Sequence, residues 1–316
     1  MRFTVVRVGL LAVVTALATA GIYMGQQHRA FERVWLGARQ SIAPLAEDSI
    51  RLADYRVVIE GHHLEGIDQV SALTFDPDRN SLFTVTNRNP ELIELSLYGD
   101  VLRRIPLDGL EDPEAVEYVG PNRYVIADER RQKLVKVTLE DDTLKLDVSR
   151  LPMLDLSDGN VGNKGFEGLA YDIAGKRLFV GQERDPMRII EVQGYAGGPF
   201  HDALSLELDD MRDRRLLMRD LSSLQFIERT GHLLALSDES RVLLELDRQG
   251  KPLGTLSLLM GQHGLKNSIP QAEGVAMGSD GAIYVVSEPN LFYVFRKPDD
   301  SVEAAALSPS ETASES

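Results

Sequence analysis

The sequence predicts an all-β fold, a β-propeller of five blades with six as the alternative, preceded by an N-terminal transmembrane or signal helix. Two observations predict the propeller. Five stretches between residues 70 and 277 open alike, at spacings of 43, 53, 55 and 51 residues. Each is followed by a turn rich in Gly, Asp, Asn or Pro and then by further short apolar runs, and no long helix-period stretch occurs after residue 54. A third observation predicts the leading helix: residues 8–24 carry no charge and follow Arg2 and Arg7.

That N-terminal pattern, a basic start and then an apolar run, is the form of an export signal. Ala18-Thr19-Ala20 fits the small-x-small rule for cleavage, but Ile22, Tyr23 and Met24 continue the apolar run beyond it. The 17 uncharged residues reach the lower length limit for a spanning helix, which favours an uncleaved anchor in the cytoplasmic membrane. In either case Arg2 and Arg7 stay inside and the bulk of the chain lies outside. The expectation is a single-pass inner-membrane protein with its propeller in the periplasm, or a periplasmic protein if the segment is cleaved. Residues 1–24 are thus the anchor or signal, and 25–54 a helical or loosely ordered connector with Phe31, Val34 and Trp35 at helical spacing. The propeller spans 55–297. Residues 298–316, rich in Ser, Ala and Glu without apolar pattern, form a disordered tail.

Within 55–297 the repeat governs the reading, because a fixed period of 40 to 50 residues with grouped strands marks propeller blades. The opening strands are 70–75, 113–118, 166–171, 221–226 and 272–277, anchored on Ser71, Glu114, Glu167, Ser222 and Glu273. Turns follow whose residues accept tight or left-handed backbone. Second strands lie at 82–86, 124–127, 178–181, 233–237 and 283–287, and third strands at 92–97, 134–139, 188–192, 242–246 and 291–295. Fourth strands are visible at 101–107 and 252–258. The last repeat lacks one, whereas an orphan strand at 55–60 precedes the first. The simplest closure lets this strand complete the last blade, leaving no exposed edge. Six blades arise if the insertions near 140–162 or 196–219 hide further strands.

The chemistry follows from equivalent positions meeting at the channel. Three carboxylates, Glu114, Glu167 and Glu273, facing one axis repel one another unless protonated or bridged by a cation. Calcium accepts six to eight oxygen ligands in loose geometry and resolves the repulsion directly. The competing reading has these glutamates hydrogen-bonding backbone amides of the next blade. A second repeat-related set, Asn87, Asp128, Glu183, Asp238 and Glu288, follows the second strands, with arginines often next to it. These residues are outer calcium ligands, substrate-binding groups or blade-to-blade ion pairs. The run 158–163 has Asn163 as a further ligand candidate but lacks the closing acid of an EF-hand loop.

Composition narrows the classes. Acidic residues number 49 against 34 basic, a net charge of −15 that disfavours nucleic acid. There are no cysteines, which excludes disulfides and thiolate metal sites. The six histidines share no repeat position, which weighs against a transition-metal site or a Ser-His hydrolase. No P-loop, dinucleotide fingerprint or nucleophile elbow is present.

The stretches 112–114, 126–132, 163–169, 236–241, 269–274 and 287–291 resemble the SdiA-regulated (YjiK-like) family of bacterial proteins. The resemblance covers roughly 55–297. It implies a five-bladed propeller distantly related to NHL repeats, a calcium site and an N-terminal membrane segment, but no reaction. Ala115 and Ala272 stand where the family leads one to expect Gly and Pro. The resulting expectation is a calcium-binding extracytoplasmic propeller, more binding, sensing or scaffold module than enzyme, with a small molecule or an envelope protein as partner in the channel mouth. The alternative is a calcium-dependent hydrolase of the lactonase or esterase kind, with its site in the channel.

Overall fold

The computed structural model describes residues 13–23, 25, 47–157, 165–196 and 204–298. In chain order the strands begin with β1 (Arg56–His63), which pairs with none of its chain neighbours. Blade 1 holds β2 (Val70–Asp76), β3 (Ser81–Thr86), β4 (Glu91–Leu95) and β5 (Val101–Asp108). Blade 2 holds β6 (Pro113–Gly120), β7 (Arg123–Asp128) and β8 (Lys133–Thr138); β9 (Leu146–Asp147) then reaches back to pair in parallel with β5, and β10 (Met153–Asp155) completes blade 2. Blade 3 is β11 (Phe166–Asp172), β12 (Arg177–Gln182), β13 (Arg188–Gln193) and β14 (Ser205–Leu208). Blade 4 is β15 (Ser223–Ile227), β16 (His232–Ser237), β17 (Val242–Leu246) and β18 (Pro252–Ser257). Blade 5 is β19 (Ala272–Met277), β20 (Ile283–Ser287), β21 (Leu291–Arg296) and, from the other end of the domain, β1.

The five-bladed propeller is therefore the fold. The insertions that left six blades open supply the outer strands β10 and β14 and the short β9, not a sixth sheet, among the described residues. Closure runs through β1, antiparallel to β21 from Arg56 opposite Arg296 to His63 opposite Leu291.

The chain forms these elements because burial falls outward across each blade. Strands β2 and β3 are buried at every residue, so their sequences are near-continuous apolar or small runs, whereas the outer β5 alternates and turns one side to solvent. At the tips between first and second strands, Asn80, Asn122, Lys176, Gly231 and Gly281 take φ of 50°, 58°, 53°, 73° and 78°. This left-handed conformation is what Asn and Gly accept most readily.

Five apolar clusters fill the five seams between neighbouring blades. In one, Leu73, Leu82 and Ile93 of blade 1 meet Tyr284, Val286 and Phe292 of blade 5, and so bring the ring round to its start. The blade 4–blade 5 seam also takes in Ile50, Leu52 and Tyr55. Residues 49–54, expected in the connector, are thus packed against the propeller: Ser49 Oγ and Ile50 N donate to the buried Glu245 carboxylate at 2.8 and 2.9 Å. Near the axis the inner strands approach closely, and a Cβ on Gly274 would stand 2.4 Å from the carbonyl carbon of Ala72.

No helix among the described residues is long and apolar enough to cross a membrane; the described helical stretch is 13–23. Arg2 and Arg7, most of the connector, the run 158–163 with Asn163, and the tail from 299 on lie outside the described residues.

A candidate metal centre at the acidic mouth of the channel

The anchor position of each innermost strand is a point of irregular pairing. Register shifts fall between Pro113 and Ala115, Phe166 and Gly168, and Ala272 and Gly274, so Glu114, Glu167 and Glu273 are each the unpaired residue of a β-bulge. A bulge re-aims its side chain away from the regular alternation of the strand. All three glutamates consequently line one cavity of about 600 Å³ at the end of the channel where the innermost strands begin, together with Ser222 of blade 4. Ser71 completes this inner ring, and its buried hydroxyl lies beside Glu114, whose charged form it favours.

A second ring surrounds the first. The last residues of the second strands are Thr86, Asp128, Gln182, Ser237 and Ser287, so the residues that follow them are Asn87, Glu129, Glu183, Asp238 and Glu288. Three of these begin in the same way: Glu129 N, Glu183 N and Glu288 N donate to the carbonyls of Asp112, Gly165 and Gln271 at 2.8, 3.2 and 2.9 Å. Glu183, Asp238 and Glu288 line the cavity. Asp128 does not. It stands one residue early, and because neighbouring strand residues point to opposite sides, its buried carboxylate turns into the blade. There it accepts the backbone N–H groups of Glu111 and Arg131 at 2.9 and 3.3 Å. The blade 2 member of the ring is Glu129, which sequence reasoning passed over.

Glu129 reaches inward because Gly165 gives way to it. A Cβ at Gly165 would fall 1.6 Å from Glu129 Cγ, and Gly165 N donates to Glu129 Oε1 at 3.1 Å. Glu129 is also the common member of two carboxylate groups, Asp112–Glu114–Glu129 and Glu129–Glu167–Glu183, each offering three oxygens within 4.8 Å of one another. Glu273 lines the cavity but belongs to neither group. The three inner glutamates thus do not form one compact set; the dense acidic spot sits off-axis, at the seam of blades 2 and 3. Asp220 is a second residue that the repeat reading missed. Two residues before the anchor Ser222, it is the counterpart of Asp112, and it is held by Ser222 Oγ at 3.2 Å and by the Ser237 hydroxyl.

The cations of the mouth are committed on the blade 3–blade 4 side. Arg184 pairs with Glu183 and reaches Glu239 of blade 4 at 2.8 Å, where Arg219 also binds at 3.1 Å. The Arg241 guanidinium donates to the Ile269 carbonyl. On the other side Glu114 is met by a neutral donor, Asn87 Nδ2 at 2.9 Å, and Glu288 by Gln271 Nε2 at 2.9 Å. No histidine among the described residues lines the cavity: His232, the buried one, pairs with Glu245 at 2.7 Å.

The SdiA-regulated family matches residues 47–296. The chain belongs to the SdiA-regulated family. Among solved structures it is similar to a calcium-binding protein, regucalcin, from Agrobacterium tumefaciens strain C58, with a TM-score of 0.46 and 14% identity over 74% of this chain and 92% of that one. It is similar to a luciferin-regenerating enzyme with a TM-score of 0.46 and 11% identity over 77% and 94% of the two chains. The nidogen/laminin complex gives 0.45 and 12% over 74% and 85%. These likenesses are too distant to bear on chemistry.

What this SdiA-regulated chain can do at its acidic mouth follows from the charges. Burial first, and then the neighbouring carboxylates, push the inner glutamates far above the usual carboxylate range: Glu114 to about 7, Glu273 to about 8 and Glu167 to about 10. Burial raises Glu129, Asp238 and Glu288 as well. Acids so displaced either hold protons at neutral pH or await a cation that replaces them. Among the described residues the donor set is all oxygen, with no thiol and no imidazole, which suits a hard divalent ion of loose geometry.

Proposed function

We propose that the acidic mouth binds calcium, and that the chain works as a calcium-loaded binding or sensing module held on the outer side of the cytoplasmic membrane by its N-terminal segment. The observation that carries the reading is Glu129, shared by two three-carboxylate groups over the seam of blades 2 and 3. An ion there draws on Glu114, Glu129, Glu167 and Glu183, and the remaining cavity of the mouth leaves room for water or for a small molecule or envelope protein above it. The uncharged stretch 8–24 behind Arg2 and Arg7 supports the location.

A ligand that binds only the folded state stabilises it by RT ln(1 + [L]/Kd), about 2.7 kcal/mol at a hundredfold excess over Kd. The melting temperature of the full chain should rise with millimolar calcium, rise less with magnesium, which demands stricter octahedral geometry, and return with EDTA. Glu167→Gln should remove most of the calcium increment. An unmoved melting temperature in millimolar calcium defeats the reading.

A second reading has one observation in its favour: Glu114, at about 7, is placed in the cavity with the acidity of a general base. It makes the chain a calcium-dependent hydrolase of lactones or esters. Turnover of lactones or aryl esters that is lost both with EDTA and in Glu114→Gln supports it; absence of turnover with calcium bound leaves the binding module.

A further inference from the structure

The channel has a second mouth, at the far end of the innermost strands, and its chemistry is the reverse of the first. Four residues after the anchors stand Phe75, Tyr118, Tyr171, Phe226 and Met277, one from each blade. They line a cavity of about 340 Å³, joined by Tyr55 and Ile173. One residue earlier on two of these strands, Glu117 and Gln225 add polar groups to its lining, as do Glu228, Arg229 and Ser279. Glu117 and Gln225 are both tied to neighbouring blades. Glu117 Oε2 accepts the Thr74 hydroxyl at 2.8 Å and Oε1 accepts Tyr171 N at 3.1 Å, while Gln225 Oε1 accepts Met277 N at 3.2 Å.

We propose that this mouth is a separate binding site for a small uncharged aromatic molecule carrying one polar substituent. The volume lies in the range of small-molecule sites, which are mostly apolar with a few placed polar groups. A ring of aromatic side chains from different blades offers edges and faces to a flat ring. The polar handle is the Tyr171 hydroxyl. Tyr118 Oη is engaged by Asp78 at 2.5 Å and Tyr55 Oη donates to the Gly281 carbonyl at 2.9 Å, but Tyr171 Oη makes no hydrogen bond among the described residues. Neutrality follows from the charges that face the cavity. Burial pushes Glu117 up to about 8, which favours its neutral form at pH 7, so the lining carboxyl does not call for a cation. At the rim, the exposed Glu228 and Arg229 are opposite in sign.

The test is isothermal titration calorimetry of the full chain with 2-naphthol, beside the organic cation benzyltrimethylammonium. Expected is saturable 1:1 binding of naphthol, tighter than the cation and unaffected by EDTA or by Glu167→Gln at the opposite mouth. Met277→Trp, which fills the cavity, should weaken it at least tenfold. Ser279→Trp should do the same from an exposed rim position, and it decides the matter if the first variant fails to fold. Unchanged affinity in the folded variants overturns the proposal, as does tighter binding of the cation, or loss of naphthol binding in Glu167→Gln.

Discussion

Glu167 shows how the acidic mouth ties stability to pH. Its carboxyl is displaced upward to about 10 by burial and then by Glu273, Glu129 and Glu114, while Glu114 and Glu273 rise to about 7 and 8. The unfolded chain releases these protons near the ordinary carboxylate value of 4.5, so above that pH the folded state binds more protons than the unfolded one. Stability therefore falls as pH rises. Without divalent ions the melting temperature should drop steadily from pH 5 towards pH 8 and beyond, and a saturating cation should flatten that slope. In the same metal-free buffer at pH 8, Glu167→Gln should melt higher than the parent chain, since it removes an ionisation the fold opposes. An equal slope in the variant shows that the group does not carry the effect. Asp128 and Glu129 provide a second contrast. Asp128→Asn should cost about 1–3 kcal/mol whatever the calcium concentration, because it weakens the hydrogen bonds that the buried Asp128 carboxylate accepts from two backbone N–H groups; Glu129→Gln should spare the metal-free fold and reduce the calcium increment. Denaturant titrations with and without calcium separate the two. The sequence made the inner glutamates legible because their repeat position is unambiguous. It hid Glu129 because two acids stand side by side and only the end of β7 says which one faces the channel.

At the scale of the elements, the strands that pack on both sides could be read from their apolar runs, and the bounds of the second and third strands differ from expectation by a residue or two. Of the outer strands, β5 and β18 could be read as well, but β10, β14 and the short β9 could not. β9 and β14 are two and four residues long and largely exposed, so their partners, not their composition, make them strands. The closing strand β1 was legible because an unmatched strand at one end answered a missing one at the other. Its removal has a clear consequence. A chain starting at Leu64 leaves the edge of β21 unpaired, with Tyr293 and Phe295 beside it in the blade 4–blade 5 seam, and an exposed edge is a template for association. Such a chain should aggregate or lose cooperative melting, whereas one starting at Glu47 should fold like the parent. A start at Tyr55 keeps β1 but deletes Ile50 and Leu52, which are 1% and 0% exposed. At roughly 1.5–3 kcal/mol for each buried aliphatic side chain, that chain should lose several kcal/mol in a denaturant titration. Equal stability of the Glu47 and Tyr55 starts would show that the segment only decorates the blade.

At the scale of the whole molecule, the ring of five seams gives one channel with two unlike ends, and the ends fit different surroundings. The acidic mouth concentrates carboxylates on a chain whose net charge is already −15, a field that attracts cations. That arrangement is suited to a compartment where divalent ions are plentiful, and the proposed location outside the cytoplasm is such a compartment. In the proposed location the direction would be set by Arg2 and Arg7, since basic residues flanking an apolar segment stay in the cytoplasm. An alkaline phosphatase joined after Pro298 should therefore be active in intact cells, and a reporter that matures only in the cytoplasm should be silent at the same junction. Exchanging Arg2 and Arg7 for glutamate while placing lysines at Gln26 and Gln27 shifts the basic bias to the other flank and should lower the phosphatase signal and raise the cytoplasmic one. The reverse pattern in the parent chain, with phosphatase silent and the cytoplasmic reporter active, would place the acidic mouth inside the cell. There it would have to compete for free calcium well below the millimolar level, a demand that the calcium titration of the melting temperature measures directly.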